Sequence, residues 1–382
     1  MNFDVVIAGG AMAGQALALS LANSGLSIAV IEPNNPNPAL DDNYHTRVSA
    51  ITPKSEALLD VIGAWDNIAR KQAFSATRVW DQNSHGNLDF QTDENRDHLG
   101  HIIENDAIQR ALFEALQESS VVFLSGALNT MTHTGSGYHI VLDNHDTIEC
   151  KLLVGADGAR SRVRSLAGIE HSEHDYGQKA IVCNIRTDKP LENTTWQRFL
   201  SDSIIALLPL EENIASIVWS AENPLADELM SLSASEFGER LAQGVEYRFG
   251  RFEVLSEIQA FPLIERSSKD YVQENLALIG DAAHNIHPLA GQGINLGFGD
   301  VLELSEQLKA NIHNFSDYLV LRKYARARRL DNELMAKTMT GLNWIYKENS
   351  EPMRIMRGLG MNLVNHTPLL KTFFQKHALG ES

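Results

Sequence analysis

The chain has 382 residues, 43% of them hydrophobic, and its 49 acidic and 32 basic residues give a net charge of −17 at neutral pH. This length and apolar content predict a substantial buried core, divided between two interleaved domains. The strongly acidic balance argues against a nucleic acid as partner.

Cysteine usage and hydropathy indicate where the protein resides. The two cysteines, Cys150 and Cys183, show no metal-ligand spacing, which favours a reduced, cytoplasmic protein without a metal site. The N-terminus lacks the pattern of a signal peptide, and no run approaches the roughly 20 apolar residues that cross a bilayer. Residues 320–382 carry eleven basic and five acidic residues; this is either a solvated helix face or a surface for peripheral contact with anionic lipid or a protein.

Residues 4–32 predict a β-α-β unit that ends in Glu32. The turn after its first strand reads Gly9-Gly10-Ala11-Met12-Ala13-Gly14. Such a turn is typical of dinucleotide-binding loops, in which a pyrophosphate lies on the helix N-terminus and the acidic residue binds a ribose. Ala11 departs from this pattern because it replaces the second glycine.

The next part of the chain alternates between predicted helices and strands. Arg47 precedes a predicted helix at 53–62, and Asn105 is expected to cap another helix, with Gln109 one turn later on the same face. Strands are predicted at 77–90 (as a hairpin), 121–124, 138–142 and 148–154, and the last of them leads to Asp157-Gly158.

Five apolar segments predict an antiparallel sheet in the second half of the chain, at 180–185, 195–200, 204–209, 214–219 and 257–262. Helical spacing from 233 to 249 interrupts this series. Leu208, Ile217 and Trp219 lie in the central segments. They either line a pocket for an isoprenoid-substituted ring or pack in the core on one face of the sheet.

The stretch 276–300 contains the pattern around which the predicted ligand site is arranged. An apolar strand ends at Gly280-Asp281, Gly291-Gln292-Gly293 forms a loop, and helical spacing begins at Ile294-Asn295. A carboxylate at the carboxyl end of a strand, followed by a Gly-rich loop at a helix start, is typical of a ligand site in an α/β sheet. An ordinary β-α corner is the alternative.

These motifs together resemble a known family. The Gly9–Glu32 unit, the Asp157-Gly158 motif and the 280–297 stretch occur in the order seen in FAD-dependent aromatic-ring monooxygenases of the para-hydroxybenzoate hydroxylase type. The stretches 46–51, 195–199, 261–263, 326–335 and 354–361 are similar to the ubiquinone-biosynthesis flavin hydroxylases.

The resemblance implies an α/β fold, in which a Rossmann-like FAD-binding domain is interleaved with an antiparallel-sheet substrate domain and followed by a helical C-terminal tail. The FAD-binding domain would comprise residues 1–75, 100–170 and 275–330. The substrate domain would comprise 76–99 and 171–274, and the tail 331–382.

The resemblance also implies the residues that bind FAD. These are Gly9, Gly10, Ala11, Met12, Ala13, Gly14, Glu32, Arg47, Asn105, Gln109, Asp157, Gly158, Gly280, Asp281, Pro288, Gly291, Gln292, Gly293, Ile294 and Asn295. His287 and Pro288 are the candidates for a catalytic role. Gly299 stands where related hydroxylases commonly carry an arginine, and with Ala11 it predicts weaker FAD binding.

The implied reaction is hydroxylation of the aromatic ring of a polyprenylated phenol through a flavin C4a-hydroperoxide, with O2 as substrate and NAD(P)H as transient reductant. No second dinucleotide fingerprint occurs, so a separate NADPH domain is not expected. A ubiquinone-biosynthesis complex and a homo-oligomer are the implied assemblies. The alternatives are an FAD hydroxylase of another aromatic compound and a non-catalytic flavin-binding scaffold.

Overall fold

The computed structural model describes residues 1–82, 86–92, 96–285 and 293–347, together with Asn365 and Thr367. The strands in these residues are β1 (Asn2–Ala8), β2 (Ile28–Glu32), β3 (Val48–Ile51), β4 (Gln72–Phe74), β5 (Ala76–Asp81), β6 (Asn87–Gln91), β7 (Gly100–Glu104), β8 (Val122–Ser125), β9 (Leu128–His133), β10 (Tyr138–Leu142), β11 (Thr147–Gly155), β12 (His171–Thr187), β13 (Thr194–Phe199), β14 (Ser203–Pro209), β15 (Ile214–Glu222), β16 (Phe252–Val254), β17 (Gln259–Ser268), β18 (Val272–Gln273), β19 (Leu276–Leu278) and β20 (His284–Asn285). The α-helices are α1 (Met12–Leu21), α2 (Pro53–Val61), α3 (Asn105–Gln117), α4 (Arg162–Leu166), α5 (Asn223–Met230), α6 (Ala234–Gly244), α7 (Gly293–Ala310) and α8 (Tyr318–Lys347).

The first sheet has the strand order β18-β19-β11-β1-β2-β8, and β10 and β9 continue it from β11. The run from β19 to β8 is parallel. Val5, Val6 and Ile7 of β1 are fully buried, as expected for a parallel strand that is covered on both faces. β9 was not predicted, because most of its side chains are exposed and polar and so carry no apolar periodicity.

The second sheet has the order β20-β17-β12-β15-β14-β13-β5-β6, with β16 beside β12. It is antiparallel apart from the parallel β13–β5 pair. β5 and β6 precede α3, whereas the other strands follow α4. The two sheets are therefore interleaved in sequence, which confirms the expected fold class.

A small third sheet, β3-β7-β4, lies where the two large sheets meet. Its Ala50 and Ile102 share a hydrophobic cluster with Leu208 and Leu210 of the second sheet's hairpin region. Asn184 of β12 also donates a hydrogen bond from Nδ2 to the carbonyl oxygen of Tyr44, at 2.6 Å. These contacts hold the second sheet against the segment that enters β3.

The helices mostly match the predictions. α7 covers the predicted helix at 295–308, and the tail is helical as far as Lys347. Ser233, the first residue of the predicted helical segment 233–249, is the N-cap of α6 and forms a capping box with Glu236. The helix ends at Gly244, because Glu246 and Tyr247 have positive φ, which a right-handed helix cannot continue. Among the described helices, none has the length and apolar character needed to cross a bilayer.

α1 packs against the end of β1 at a distance that only glycine allows. A Cβ built on Gly14 would lie 1.9 Å from the carbonyl oxygen of Gly9. Gly9 itself has a φ of +111°, and a Cβ there would lie 2.3 Å from the carbonyl oxygen of Ala156. The first and third glycines of the turn thus set the position of α1 against β1 and β11.

We expect the Gly14→Ala variant to lose about 3 kcal/mol of unfolding free energy, because an overpacked site must displace backbone. Gly341→Ala is the control, since a Cβ at this α8 position meets nothing within 4 Å in the part of the chain that the structure describes. Urea unfolding followed by tryptophan fluorescence measures both variants. Equal stability of Gly14→Ala and the parent would contradict the packing argument.

Candidate functional site

The carboxyl ends of three neighbouring parallel strands bring the predicted motifs together. β1 is followed by Gly9, β11 by Asp157, and β19 by Gly280 and Asp281. In α/β sheets this edge is where ligands bind. The structure therefore places three motifs that are far apart in sequence along one side of the first sheet.

The start of α1 forms one wall of this site. Gly10 donates its N–H to Glu32 Oε2 at 2.7 Å, and Glu32 Oε1 accepts the N–H of Asn34 at 3.0 Å. Ala11 is the N-cap residue, with φ −82° and ψ −175°, and it is exposed. This extended conformation suits any residue, so the alanine causes no backbone strain, and its methyl group faces the space in front of the helix start.

α1, the Gly280 turn and α7 converge on a second point. Gly280 has a φ of +57°, and a Cβ there would lie 3.4 Å from the Cβ of Ala13. A Cβ at Gly297 would lie 3.5 Å from the Cα of Gly280 and 3.8 Å from the Cβ of Ala13. Small residues on all three segments thus let their backbones approach closely, which brings the N-termini of α1 and α7 to the same site.

Asp281 directly follows Gly280 at the point where α1, the Gly280 turn and α7 converge. We call this region the cleft. Its side chain is exposed, yet the dense protein around it raises the pKa of the carboxyl, against the opposite effects of His284, a hydrogen bond with Asn285 and Arg47. Such a carboxylate is accessible to a ligand. It is suited to accept hydrogen bonds from ligand hydroxyl groups.

The Gly280 turn is held by the fully buried Asp300 of α7. Asp300 Oδ2 accepts the N–H of Gly280 at 2.8 Å and lies 2.6 Å from His284 Nε2. Its other oxygen, Oδ1, accepts from Arg328 Nε of α8 at 2.8 Å. Burial by itself would raise the pKa of Asp300, but His284 and Arg328 hold it below the usual value.

Arg328 also explains the glycine at position 299. A Cβ at Gly299 would lie 2.8 Å from the Arg328 guanidinium Nη2, so the guanidinium occupies the space beside that residue. The positive charge next to Asp300 therefore comes from the tail helix. The sequence prediction missed Arg328 as a site residue, although the 326–335 stretch that contains it was part of the family resemblance.

The start of α7 is fastened to the small sheet by Asn295. Its Nδ2 donates to the carbonyl oxygen of Ala50 at 2.8 Å, and its Oδ1 accepts the N–H of Thr52 at 3.1 Å. The side chain thus positions α7 against β3. A Cβ built on Gly293 would meet no atom of the described residues within 4 Å.

Asn105 and Gln109 make protein contacts that the sequence did not predict. α3 begins at Asn105 and its N-cap is Glu104, so the prediction that Asn105 caps the helix was wrong. The Asn105 Oδ1 instead accepts the Ser49 hydroxyl at 2.6 Å. Gln109 Nε2 donates to the carbonyl oxygen of Pro36 at 3.3 Å, which ties α3 to the loop after Glu32.

Arg47 is exposed, and its guanidinium carbon lies 5.6 Å from the ring centroid of Phe261. Phe261 is itself 39% exposed. Arg47, in the segment before β3, and the accessible ring of Phe261, on β17, therefore lie side by side. Arg47 comes from the predicted FAD-binding domain and Phe261 from the predicted substrate domain.

The Asp157-Gly158 motif forms a tight helix start. Asp157 Oδ2 accepts the N–H groups of Arg162 at 2.6 Å and Val163 at 3.0 Å, and Gly158 has a φ of +80°. Arg164, two residues into α4, is buried and donates to the carbonyl oxygen of Ala282 at 2.8 Å. Arg164 thereby supports the 280–282 turn, whereas Arg160 and Arg162 are exposed.

The three predicted pocket residues lie on opposite faces of the second sheet. Ile217 and Trp219 are fully buried with Phe237 of α6 in the second hydrophobic core. Leu208 is buried on the other face, with Ala50 and Ile102. Of the two alternatives, core packing holds for Ile217 and Trp219, and strand alternation separates them from Leu208.

His287, Pro288, Gly291 and Gln292 lie outside the described residues. Of the other predicted cofactor residues, those in the α1 turn, Gly280 and the start of α7 lie next to one another, Asp281 directly follows Gly280, and Glu32 is bonded to the α1 turn through Gly10. Residues of this kind are typical of a site for a dinucleotide such as FAD. Bare backbone and helix starts would face the phosphates, and two carboxylates are placed for hydroxyl groups.

The chain is similar to proteins of known families. The FAD binding domain family matches residues 2–338. The chain is 35% identical to 3-demethoxyubiquinol 3-hydroxylase of Escherichia coli, over 99% of this chain and 98% of that protein. It is 32% identical to the human mitochondrial ubiquinone biosynthesis monooxygenase COQ6, over 97% of this chain and 91% of that protein. Among solved structures, p-nitrophenol 4-monooxygenase PnpA of Pseudomonas putida shares the fold, with a TM-score of 0.76, 18% identity and 98% of both chains covered.

We expect Arg328→Met to lose about 3–5 kcal/mol of unfolding free energy, because it leaves the buried Asp300 without its cation. FAD affinity should fall as well, since Asp300 holds the Gly280 turn. Urea unfolding and FAD titration by flavin fluorescence measure the two effects. The exposed Arg326→Met variant is the control; if both variants behaved alike, the Asp300 pair would not be what holds the turn.

Proposed function

Because the chain belongs to the FAD binding domain family, and within it to the flavin hydroxylases of ubiquinone biosynthesis, we propose that it hydroxylates the aromatic ring of a polyprenylated phenol with O2 and bound FAD. The convergence of the α1 start, the Gly280 turn and α7 on one cleft carries this proposal. It would supply the phosphate and hydroxyl contacts of a dinucleotide, and the activity named for the relatives supports the reaction.

We propose that FAD is held at both ends by backbone and at its hydroxyls by carboxylates. Glu32 would accept from the adenosine ribose, the α1 N–H groups would bind the pyrophosphate, and Asp281 would accept from the ribityl region. Bound FAD supplies the oxygen chemistry. The N-terminus of α7 would add a partial positive charge where the reduced ring system becomes negative.

The protein contributes orientation and exclusion of water. We propose that Arg47 and Gly158, on two sides of the cleft, border the cofactor, whereas Asn105, Gln109 and Asn295 position the segments that border it. NAD(P)H would reach the cleft as a transient reductant without a domain of its own. We propose the same division into domains as the sequence predicts. The FAD-binding domain comprises residues 1–75, 100–170 and 275–330, and the substrate domain comprises 76–99 and 171–274.

The substrate would bind between the second sheet and the cleft. The accessible Phe261 beside Arg47 is the apolar group placed for a prenylated ring, whereas Leu208 is buried against the small sheet. By contrast, the cavity near Tyr44, of about 220 Å³, is lined by the charged groups Arg70, Glu104 and Glu211. That cavity suits a polar molecule, so we do not place the prenyl chain there.

The tail offers a surface for a partner. Exposed Arg322, Lys323, Arg326 and Arg329 share one side of α8 with Leu330, which is 70% exposed. A basic and apolar helix face is suited to an anionic membrane surface, where a polyprenylated substrate would reside. We propose a peripheral membrane contact here; membership of a biosynthetic complex and self-association are further proposals that rest on the family alone.

The purified holoenzyme, given NADPH and a polyprenylated phenol in isotopically labelled O2, should produce a phenol with one labelled hydroxyl oxygen. Asp281→Ala is the control, because it removes a proposed FAD contact and should abolish both flavin retention and product. Mass spectrometry of the product and NADPH absorbance report the two half-reactions. Retained FAD without phenol-stimulated NADPH oxidation would favour the scaffold alternative, and turnover of unprenylated phenols alone would favour another aromatic substrate.

The Ala11→Gly variant should bind FAD about fivefold more tightly, equivalent to roughly 1 kcal/mol. Removing the methyl group in front of the helix start lets the pyrophosphate approach the backbone. Stability should not fall, because glycine is a better N-cap residue than alanine. Unchanged FAD affinity in a fluorescence titration would show that Ala11 does not weaken binding.

A further inference from the structure

Outside the flavin cleft, three side chains with metal-binding chemistry come together beside the small sheet. Glu56 belongs to α2, His101 to β7, and His98 to the segment that leads into β7. Glu56 Oε2 lies 3.2 Å from His101 Nδ1 and 3.7 Å from His98 Nε2. One ligand atom from each residue lies within 4.8 Å of the others. We propose that Glu56, His98 and His101 bind a divalent transition metal ion of the zinc class.

The spacing of the ligand atoms fits such an ion. Zinc bound to nitrogen and oxygen at about 2.0–2.1 Å in tetrahedral geometry separates its ligands by roughly 3.3 Å. The two separations measured from Glu56 Oε2, 3.2 and 3.7 Å, lie on either side of this value. An ion would therefore enter with small side-chain adjustments, and solvent would complete its coordination because all three residues are half-buried.

Two of the three ligand atoms have no hydrogen-bond partner among the described residues. Glu56 Oε2 and His101 Nδ1 are buried and make no hydrogen bond to any residue that the structure describes. Their separation is short, but the imidazole N–H is not aligned with the carboxylate oxygen as a hydrogen bond requires. A cation between them would satisfy both atoms at once, whereas leaving buried polar atoms unpaired is unfavourable.

One neighbouring cation, Lys71, acts on both Glu56 and His101. Lys71 opposes binding through its charge, although its ammonium group is engaged by the carbonyl oxygen of Trp65 at 2.8 Å.

Two imidazoles and one carboxylate select for zinc, cobalt, nickel or copper over magnesium or calcium, which prefer oxygen ligands. The bound ion would connect α2 to β7. It would thereby stabilise the folded protein, because it binds only the native arrangement. The sequence spacing did not indicate this site, since Glu56 is distant in sequence from the two histidines.

Isothermal titration of the tag-free holoenzyme with Zn2+ alone tests the proposal, with Mg2+ as the comparison ion. We expect one Zn2+ per chain, no Mg2+ binding, and a rise in melting temperature with Zn2+. His98→Ala, His101→Ala and Glu56→Gln should each weaken Zn2+ binding about tenfold or more. His139→Ala is the matched control, because His139 Nδ1 lies 3.8 Å from Glu149 Oε1 in an exposed pair without a second histidine.

A crystal of the unaltered protein soaked in Zn2+ makes the test independent of whether the variants fold. Anomalous scattering at the zinc edge should give a peak between Glu56, His98 and His101. No bound Zn2+, a peak elsewhere, or equal binding by His101→Ala and His139→Ala would overturn the proposal. None of these readouts depends on hydroxylase activity, so the metal site and the proposed function fail separately.

Discussion

The site depends on the pairing of one buried carboxylate. Asp300 has no exposed surface, and it is contacted by Gly280, His284 and Arg328, which belong to a strand end, a short strand and the tail helix. A buried charge without partners is strongly unfavourable, so these segments fold together or leave Asp300 unpaired. The position of the Gly280 turn is thereby coupled to a helix that follows it by about forty residues.

Close backbone packing supplies the second constraint. Gly9, Gly14, Gly280 and Gly297 each lie where a side chain would meet a neighbouring segment. These contacts bring two helix N-termini and two strand ends into one cleft, and each contributes backbone rather than side-chain groups. A binding site that is built from backbone depends on how closely the ligand can approach that backbone, which is why we expect the alanine at the N-cap of α1 to weaken FAD binding.

The two faces of the second sheet pack against different parts of the protein, because side chains alternate between the faces along each strand. One face packs against α6 and forms a core with Ile217 and Trp219. The other face meets the small sheet, where Leu208 and Ala50 pack together and where Asn184 bonds to the segment that carries Arg47. The same small sheet receives Asn295 from α7 and borders the Glu56–His98–His101 cluster. It is the junction through which the cleft, the second sheet and α2 contact one another.

The sequence by itself determined the β-α-β unit, the strand-loop-helix order around Asp281, the antiparallel second sheet and the family resemblance. These are local patterns of apolar spacing, glycine and acid position, and short-range periodicity reports them. Only the tertiary structure decided that Asn105 contacts Ser49 instead of capping its helix, that Ile217 lies in the core, and that Arg328 fills the space beside Gly299. Each of these outcomes depends on which side chain arrives from a distant segment, and local periodicity contains no information on that.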